Sequence, residues 1–244
     1  MSITERQQQI LKLLESSAFI TVNQLATATF TSPSSIRRDL THLQNLGMVH
    51  RTHGGVTLSG PEQRVPTLRE RMNKDVAGKR RAAKKAAALL EDGQTILLDG
   101  SSTVSFLLPY IAEHKGMSVF TNNLLTALSA SEMGITTHCL GGCLSGGEVI
   151  LTGPLTAQSL SSLYVDILFF STQSLDSNGL ISDSSQEEIY LRKMMLAAAE
   201  KRVFLCDSEK FSRRSLYKLT ELDKVDAAAF DQPFPALKTT CRIL

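Results

Sequence analysis

Two parts of this chain gather side chains suited to holding anions. The first is the run Ser32-Pro33-Ser34-Ser35-Ile36-Arg37-Arg38-Asp39. Hydroxyls and guanidinium groups crowded into one helical turn donate to phosphate oxygens and reach base edges when such a helix enters the major groove. A surface ion-pair network among Arg37, Arg38 and Asp39 is the competing reading. The second part is spread along the chain as four polar or glycine-rich clusters, each just after a short apolar run: Asp99-Gly100-Ser101-Ser102-Thr103, Thr121-Asn122, Gly141-Gly142, and Asp207-Ser208 with Lys210. Backbone N–H groups at the start of a helix, with the hydroxyls of Ser101, Ser102 and Thr103, make a seat for a phosphate. Lys210 adds a point charge, and Asp99 or Asp207 can accept from sugar hydroxyls. The spacing is neither that of the nucleotide P-loop nor the dinucleotide fingerprint. A serine-rich cap without a ligand is the alternative.

Other reactive residues offer less. Asp99, Glu187, Glu188 and Asp207 are the carboxylates available for proton transfer at a carbonyl. Each equally orients hydroxyls or caps a helix, and His114 and His138 fall away from the glycine clusters, so no enzymatic activity is expected. Cys139 and Cys143 lack a second ligand cluster and read as core rather than zinc ligands. Neither metal nor cofactor is expected.

The elements that must position these groups can be read from periodicity. Residues 5–16 place Ile10, Leu11 and Leu14 on one helix face. Phe19, Ile20 and Val22 form a short extended link, and residues 23–30 a second helix with Leu25, Ala26 and Phe30 available for packing. A third helix opens on Ser32 as N-cap with Pro33 at its first position. Its buried stripe is Ile36, Leu40, Leu43 and Leu46, and Gly47 stops it. Residues 48–58 then carry a hairpin signal around Gly54-Gly55. Three helices and a small hairpin make a winged helix-turn-helix, with Arg51 and His53 on the wing placed to reach a phosphate or minor groove. Residues 60–75 read as a connector and residues 76–91 as a basic helix, solvated or close to DNA. Beyond them, apolar runs at 95–99, 117–121, 136–140, 166–170 and 202–206 alternate with helical segments, one at 103–112. This predicts an α/β domain with a mostly parallel sheet, whose ligands bind outside the carboxyl ends of the strands. The expected division is 1–59, 60–75 and 76–244.

Charge agrees with that division. The whole chain carries +2, but residues 1–90 hold 14 Lys/Arg against 6 Asp/Glu while residues 91–244 hold 12 against 18. A basic end suits a polyanion, and the acidic remainder does not. Four cysteines without a dense framework suit a reducing compartment. No apolar run approaches the roughly 20 residues of a membrane span, and the first ten residues lack a signal peptide's apolar stretch. A cytoplasmic protein with no membrane partner is expected.

Ser32-Pro33 followed by Ser35-Ile36-Arg37-Arg38-Asp39-Leu40, then Met48 to Gly55, resembles the N-terminal signature of DeoR-type regulators. Ser35 stands where that family usually has threonine, which keeps the hydroxyl. The resemblance implies DNA contact along Ile20 to Asp39, thus including Thr21, with Ser34, Ser35, Arg37 and Arg38 foremost. It continues through Asp99 to Thr103, Thr121-Asn122, Gly141-Gly142, Gly153-Pro154, Glu188 to Lys193 and Asp207 to Phe211, which match the family's sensor motifs in order. It thereby implies a ribose-phosphate-isomerase-like sensor domain, a phosphorylated sugar-like effector with Glu188 at its site, and a homo-oligomer that presents paired winged helices to operator DNA, most often as a repressor. Three departures stand out. Asp99 to Thr103 exchanges the usual glycine and serine positions, Ser171-Thr172 replaces a glycine-bearing loop, and the end of the chain is shorter than the family's. Two other readings stay open at this point: a sugar-phosphate isomerase or deaminase fused to a DNA-binding module, and a DNA binder whose large domain only oligomerises.

Overall fold

The structure, a computed structural model, describes the chain except residues 1–2, 16, 18, 47, 53–54, 59–67 and 145–148. Gly47, His53 and Gly54 therefore lie outside the described residues, as does the side chain of Arg51. The chain divides into two compact units, Met1–Pro66 with Ser145–Gly147, and Thr67–Leu144 with Glu148–Leu244.

The first unit contains α1 (Glu5–Glu15), α2 (Val22–Ala28), α3 (Pro33–Asn45) and an antiparallel pair, β1 (Val49–Thr52) and β2 (Gly55–Leu58). Ile10, Leu14, Leu25, Ala26, Ile36, Leu40, Leu43, Val49 and Val56 form its core. Ile20 exchanges both backbone hydrogen bonds with Val56, at 3.0 and 2.8 Å, so the link before α2 adds a third edge to the wing. That approach requires Gly55, where a Cβ would lie 2.6 Å from the Ile20 carbonyl oxygen. Two expectations fail here. The second helix ends at Ala28, and Phe30 turns outward with a backbone φ of 51° and 98% of its surface exposed, because the turn into α3 starts one residue too early for it to pack. Leu46 is the half-buried C-cap of α3 rather than the fourth residue of its core stripe.

The second unit is built on a six-stranded parallel sheet. Its strands are β3 (Thr95–Leu98), β4 (Ser118–Thr121), β5 (Thr136–Cys139), β6 (Val165–Phe170), β9 (Ala199–Cys206) and β11 (Ala227–Phe230), in the order β11-β9-β6-β3-β4-β5. Side chains alternate between two cores, as strands covered on both faces require. Ile96, Leu98, Val119, Ile167, Phe169, Val203 and Leu205 face one core; Leu97, Leu168, Phe170, Phe204 and Cys206 face the other. A smaller antiparallel sheet, β10-β8-β7, comprises β7 (Ser174–Leu175), β8 (Leu180–Asp183) and β10 (Tyr217–Glu221). Six helices complete the unit: α4 (Leu68–Asn73), α5 (Val76–Ala86), α6 (Leu108–Ile111), α7 (Leu124–Glu132), α8 (Pro154–Ser161) and α9 (Gln186–Ala198).

The second unit departs from expectation in three further places. Helix α4 occupies part of the expected connector, with Leu68 buried. The single helix expected over 103–112 is a 3-10 turn, Val104–Leu107, followed by α6, since Pro109 has no N–H to donate to Ser105. Cys139 and Cys143 are exposed free thiols rather than core residues. Among the described residues no group of three or more candidate metal ligands forms, and no helix is long and apolar enough to cross a membrane.

Candidate functional site

Helix α3 presents the first candidate surface. Ser32 caps it by accepting from the Ser35 N–H at 3.3 Å, and its hydroxyl also meets those of Ser34 and Ser35 at 2.9 and 3.0 Å. Ser32, Pro33, Ser34, Arg37 and Arg38 are exposed and Ser35 is half-buried. Two residues of the expected contact segment point the other way. Ile36 is fully buried in the core, and Asp39 turns inward to accept from Arg6 Nε and, at 3.2 Å, from Gln7 Nε2 of α1. Both hold α3 in place; neither side chain faces solvent. The proposed ion-pair network of Arg37, Arg38 and Asp39 does not form, and among the described residues both arginines are left without a carboxylate partner. Thr21 is likewise structural in part, since it caps α2 in a reciprocal pair with Gln24.

The second candidate site lies at the carboxyl ends of the parallel strands. Going along the chain, β3, β4 and β5 are laid down in one direction across the sheet; β6, β9 and β11 then extend it the other way. The reversal falls between β3 and β6, the place where open α/β sheets leave a crevice. Lys210 sits there, donating to Thr103 Oγ1 at 2.8 Å and Ser171 Oγ at 2.9 Å, with Asp207 Oδ2 at 2.9 Å. One cation thus joins the loops after β3, β6 and β9.

Beside it is an arginine that sequence reasoning missed. Arg192 of α9 is buried and donates from Nε to Asp99 at 2.6 Å, from Nη1 to Asp183 at 3.0 Å and from Nη2 to Glu188 at 2.7 Å. Its guanidinium is disfavoured by burial, but the carboxylates of Glu188, Asp99 and Asp183 outweigh that and raise its pKa. Glu188 is pushed up by burial and by Asp183 and Asp99, with Arg192 pulling it back. Asp99 also accepts from the Ser101 N–H at 3.1 Å and the Ser171 N–H at 3.4 Å. Asp99 and Glu188, both expected at the effector's site, are engaged by Arg192 here, three carboxylates converging on one buried cation. The local hints were the i, i+4 pair Glu188 and Arg192 on α9 and the place of Arg192 within the motif segment Glu188 to Lys193.

The remaining residues sort by loop. Asn122 donates to the Leu151 carbonyl at 3.0 Å, and among the described residues its own Oδ1 is buried without a partner, as is Ser101 Oγ. Asn123, a further miss, caps α7 with its Oδ1 and donates to the Gly100 carbonyl at 3.3 Å, tying the β4 loop to the β3 loop. Thr121 Oγ1 accepts from the Asn123 N–H. Gly100 has no room for a side chain, since a Cβ would come within 2.8 Å of Ile150. Gly141 and Gly142 belong to a neighbouring arrangement, where the Gly141 carbonyl accepts from Thr156 at 2.6 Å and a Cβ on Gly142 would strike the same hydroxyl.

Comparisons with known proteins agree with this two-part organisation. The DeoR-like helix-turn-helix domain family matches residues 6–61, and the DeoR C terminal sensor domain family matches residues 74–232. The L-fucose operon activator of Haemophilus influenzae is 32% identical over 94% of this chain and 92% of its own length. The HTH-type transcriptional repressor GlcR of Bacillus subtilis is 30% identical over 93% of this chain and 88% of its own. Among solved structures, the tetrameric eIF2B-β2δ2 complex of C. thermophilum contains a chain related at a TM-score of 0.50 and 16% identity, covering 94% of this chain and 69% of that one. Ribose 5-phosphate isomerase from Plasmodium falciparum gives a TM-score of 0.40 at 20% identity, over 55% of this chain and 52% of that one.

Proposed function

Since the chain belongs to the DeoR family of transcription regulators, we propose that α3 reads an operator and that the β3–β6 crevice senses a phosphorylated sugar-like effector that relieves repression of a carbohydrate operon. The observation that carries the effector reading is Lys210, held between Thr103, Ser171 and Asp207 at the reversal point of the sheet. A phosphate in that place takes hydrogen bonds from Lys210 and the two hydroxyls, displacing Asp207 from the ammonium group. Ser101 Oγ and Asn122 Oδ1, both buried without partners among the described residues, are the groups that meet the ligand's hydroxyls. Leaving such groups unmade costs about 1–3 kcal/mol each, which a polar ligand recovers. The sugar-operon assignment is supported by the relatives whose names state it, an L-fucose operon activator among them.

An effector shifts the equilibrium between two states only by the difference in its affinity for them. Here that difference begins with the exchange of Asp207 for phosphate. Asp207 leads directly into the turn Ser208–Lys210, each residue of which has an anchor. Ser208 Oγ donates to Asp231 at 3.1 Å, which also pairs with Arg81 of α5, and Glu209 pairs with Lys74 at 2.8 Å, just past α4. Movement of this turn therefore reaches α4, the first described element after the connector. Of the carboxylates named for isomerase or deaminase chemistry, Asp99 and Glu188 are bound to Arg192 and Asp207 to Lys210, while Glu187 is exposed, which argues for sensing over turnover. Homo-oligomers that present two reading heads to half-sites a helical turn apart follow from the usual symmetry of such regulators.

The test is a gel-shift titration on the DNA upstream of the chain's own gene, with and without a panel of sugar phosphates. Specific binding released by one compound is expected. Specific binding that no sugar phosphate disturbs, with no compound raising the melting temperature, overturns the effector assignment.

A further inference from the structure

We propose that Phe30 is an operator-reading residue whose ring makes apolar contact with a thymine C5 methyl next to the site of α3; this rests on the reading of α3 as the DNA-contacting helix. Three observations converge on it. The side chain is 98% exposed, and among the described residues its ring stacks on no other, so the fold of the first unit gains nothing from its presence. Its backbone φ of 51° lies in the left-handed region, where a bulky side chain is strained and Asn or Gly is at ease. A residue that is strained and unpacked is retained for something outside its own domain.

Its position says what. Phe30 stands two residues before the Ser32 cap of α3 and shares a shallow surface groove of about 520 Å³ with Asn23, Thr27, Thr31 and Pro33. Pro33 and Arg37 are one helical turn apart on α3, so the groove runs on into the face that carries the exposed arginines. No carboxylate lines the groove, and the nearest one along α3, Asp39, is turned inward to Arg6 and Gln7. A neutral groove with a projecting ring, continuous with a cationic face, suits the edge of a polyanion. Within the major groove the one apolar group displayed by the bases is the thymine methyl, and phenylalanine is among the side chains that read it. An exposed aromatic is also a common anchor for a protein partner. The continuity with Arg37 and Arg38 favours DNA over that occupant.

The experiment compares the parent chain, Phe30→Asn and Arg38→Ala on the DNA upstream of the chain's own gene, by fluorescence anisotropy and by thermal melting. Phe30→Asn is expected to melt higher than the parent, since asparagine relieves the left-handed strain, yet to bind this DNA about tenfold more weakly. A scan replacing single thymines by uracil is expected to find a position where the parent loses that same factor and Phe30→Asn loses nothing. If Arg38→Ala loses binding while Phe30→Asn binds as the parent does, the assignment of Phe30 is overturned and the reading of α3 stands. If Arg38→Ala also binds normally, the reading of α3 fails with it. Normal DNA binding by Phe30→Asn, with lost regulation in a reconstituted transcription assay, assigns the ring to a protein partner and overturns the proposal.

Discussion

Lys210 is saturated by its own chain, with two hydroxyls and a carboxylate within 2.9 Å, and that is what makes its role testable. Lys210→Met removes the charge an incoming phosphate must reach while leaving DNA contacts alone. It should weaken effector binding by about 10- to 100-fold, as expected for a charge-assisted hydrogen bond, and yield a chain that stays on its operator. Isothermal titration with the identified sugar phosphate checks this; unchanged affinity would place the phosphate elsewhere. Glu188 supports a prediction about pH. Burial raises its carboxyl above the ordinary range, so the folded state binds that proton more tightly than the unfolded chain does. The resulting stabilisation is complete below the unfolded carboxylate range and is lost as pH rises through the raised value. Glu188→Gln should therefore flatten the fall in melting temperature as pH rises above the ordinary carboxylate range. A variant with the parent's slope would show an ionised carboxylate held by Arg192 throughout. The motif residues of this site were legible because each follows a strand. Arg192 was not, because an arginine four residues after a glutamate on a helix reads as a solvated pair. Nothing in the spacing reveals that Asp99, 93 positions away, closes on it.

At the scale of elements, α3 separates stability from recognition. Ser32→Ala removes the oxygen that accepts from the Ser35 N–H and should cost about 1 kcal/mol of stability. Arg38→Ala removes an exposed side chain without an ion-pair partner among the described residues, so the melting temperature should hold. Operator affinity should fall, and if the lost contact is a phosphate, the slope of log affinity against log salt should shrink by about 1. A loss of stability in Arg38→Ala equal to that of Ser32→Ala would make the arginine structural. The same helix shows what local sequence conveys: a capping serine, a proline at the first position and a leucine stripe are signals contained within one turn or two. Strand β11 shows what it does not. Ala227-Ala228-Ala229 has no β-branched residue, and its strand identity comes from pairing with Val203 to Cys206 of β9 on one side and a bridge from Ala228 to Ile243 on the other. The two-residue strand β7 exists for the same reason, as a partner to β8.

For the molecule as a whole the question is how an anion at the crevice is felt at the connector, and the answer turns on a second buried lysine. Lys79 of α5 is 4% exposed and donates to the backbone carbonyls of Arg71, in the last turn of α4, and of Lys74, just past it. Burial lowers its pKa; Asp207 and Glu209, the residues either side of Ser208, raise it again, while Lys210 lowers it. The ammonium group that clamps α4 is thus held charged in part by the turn that the effector is proposed to move. In the proposed mechanism, a phosphate that takes Lys210 and displaces Asp207 changes the field at Lys79 and loosens the grip on α4. Lys79→Met deletes the clamp but none of the groups that meet the ligand. It should therefore bind the sugar phosphate as the parent does, judged by the ligand-induced rise in melting temperature, while its operator affinity without effector is already lowered and the effector's further effect shrinks about tenfold, a coupling loss of roughly 1.4 kcal/mol. Glu209→Gln should show the same uncoupling more weakly, because its bridge to Lys74 is largely exposed and screened. If Lys79→Met releases its operator at the parent's effector concentration, the signal does not pass through α4. The carboxylates around Arg192 would then be the next element to test, since they alone join β3, β8 and α9 at the same crevice.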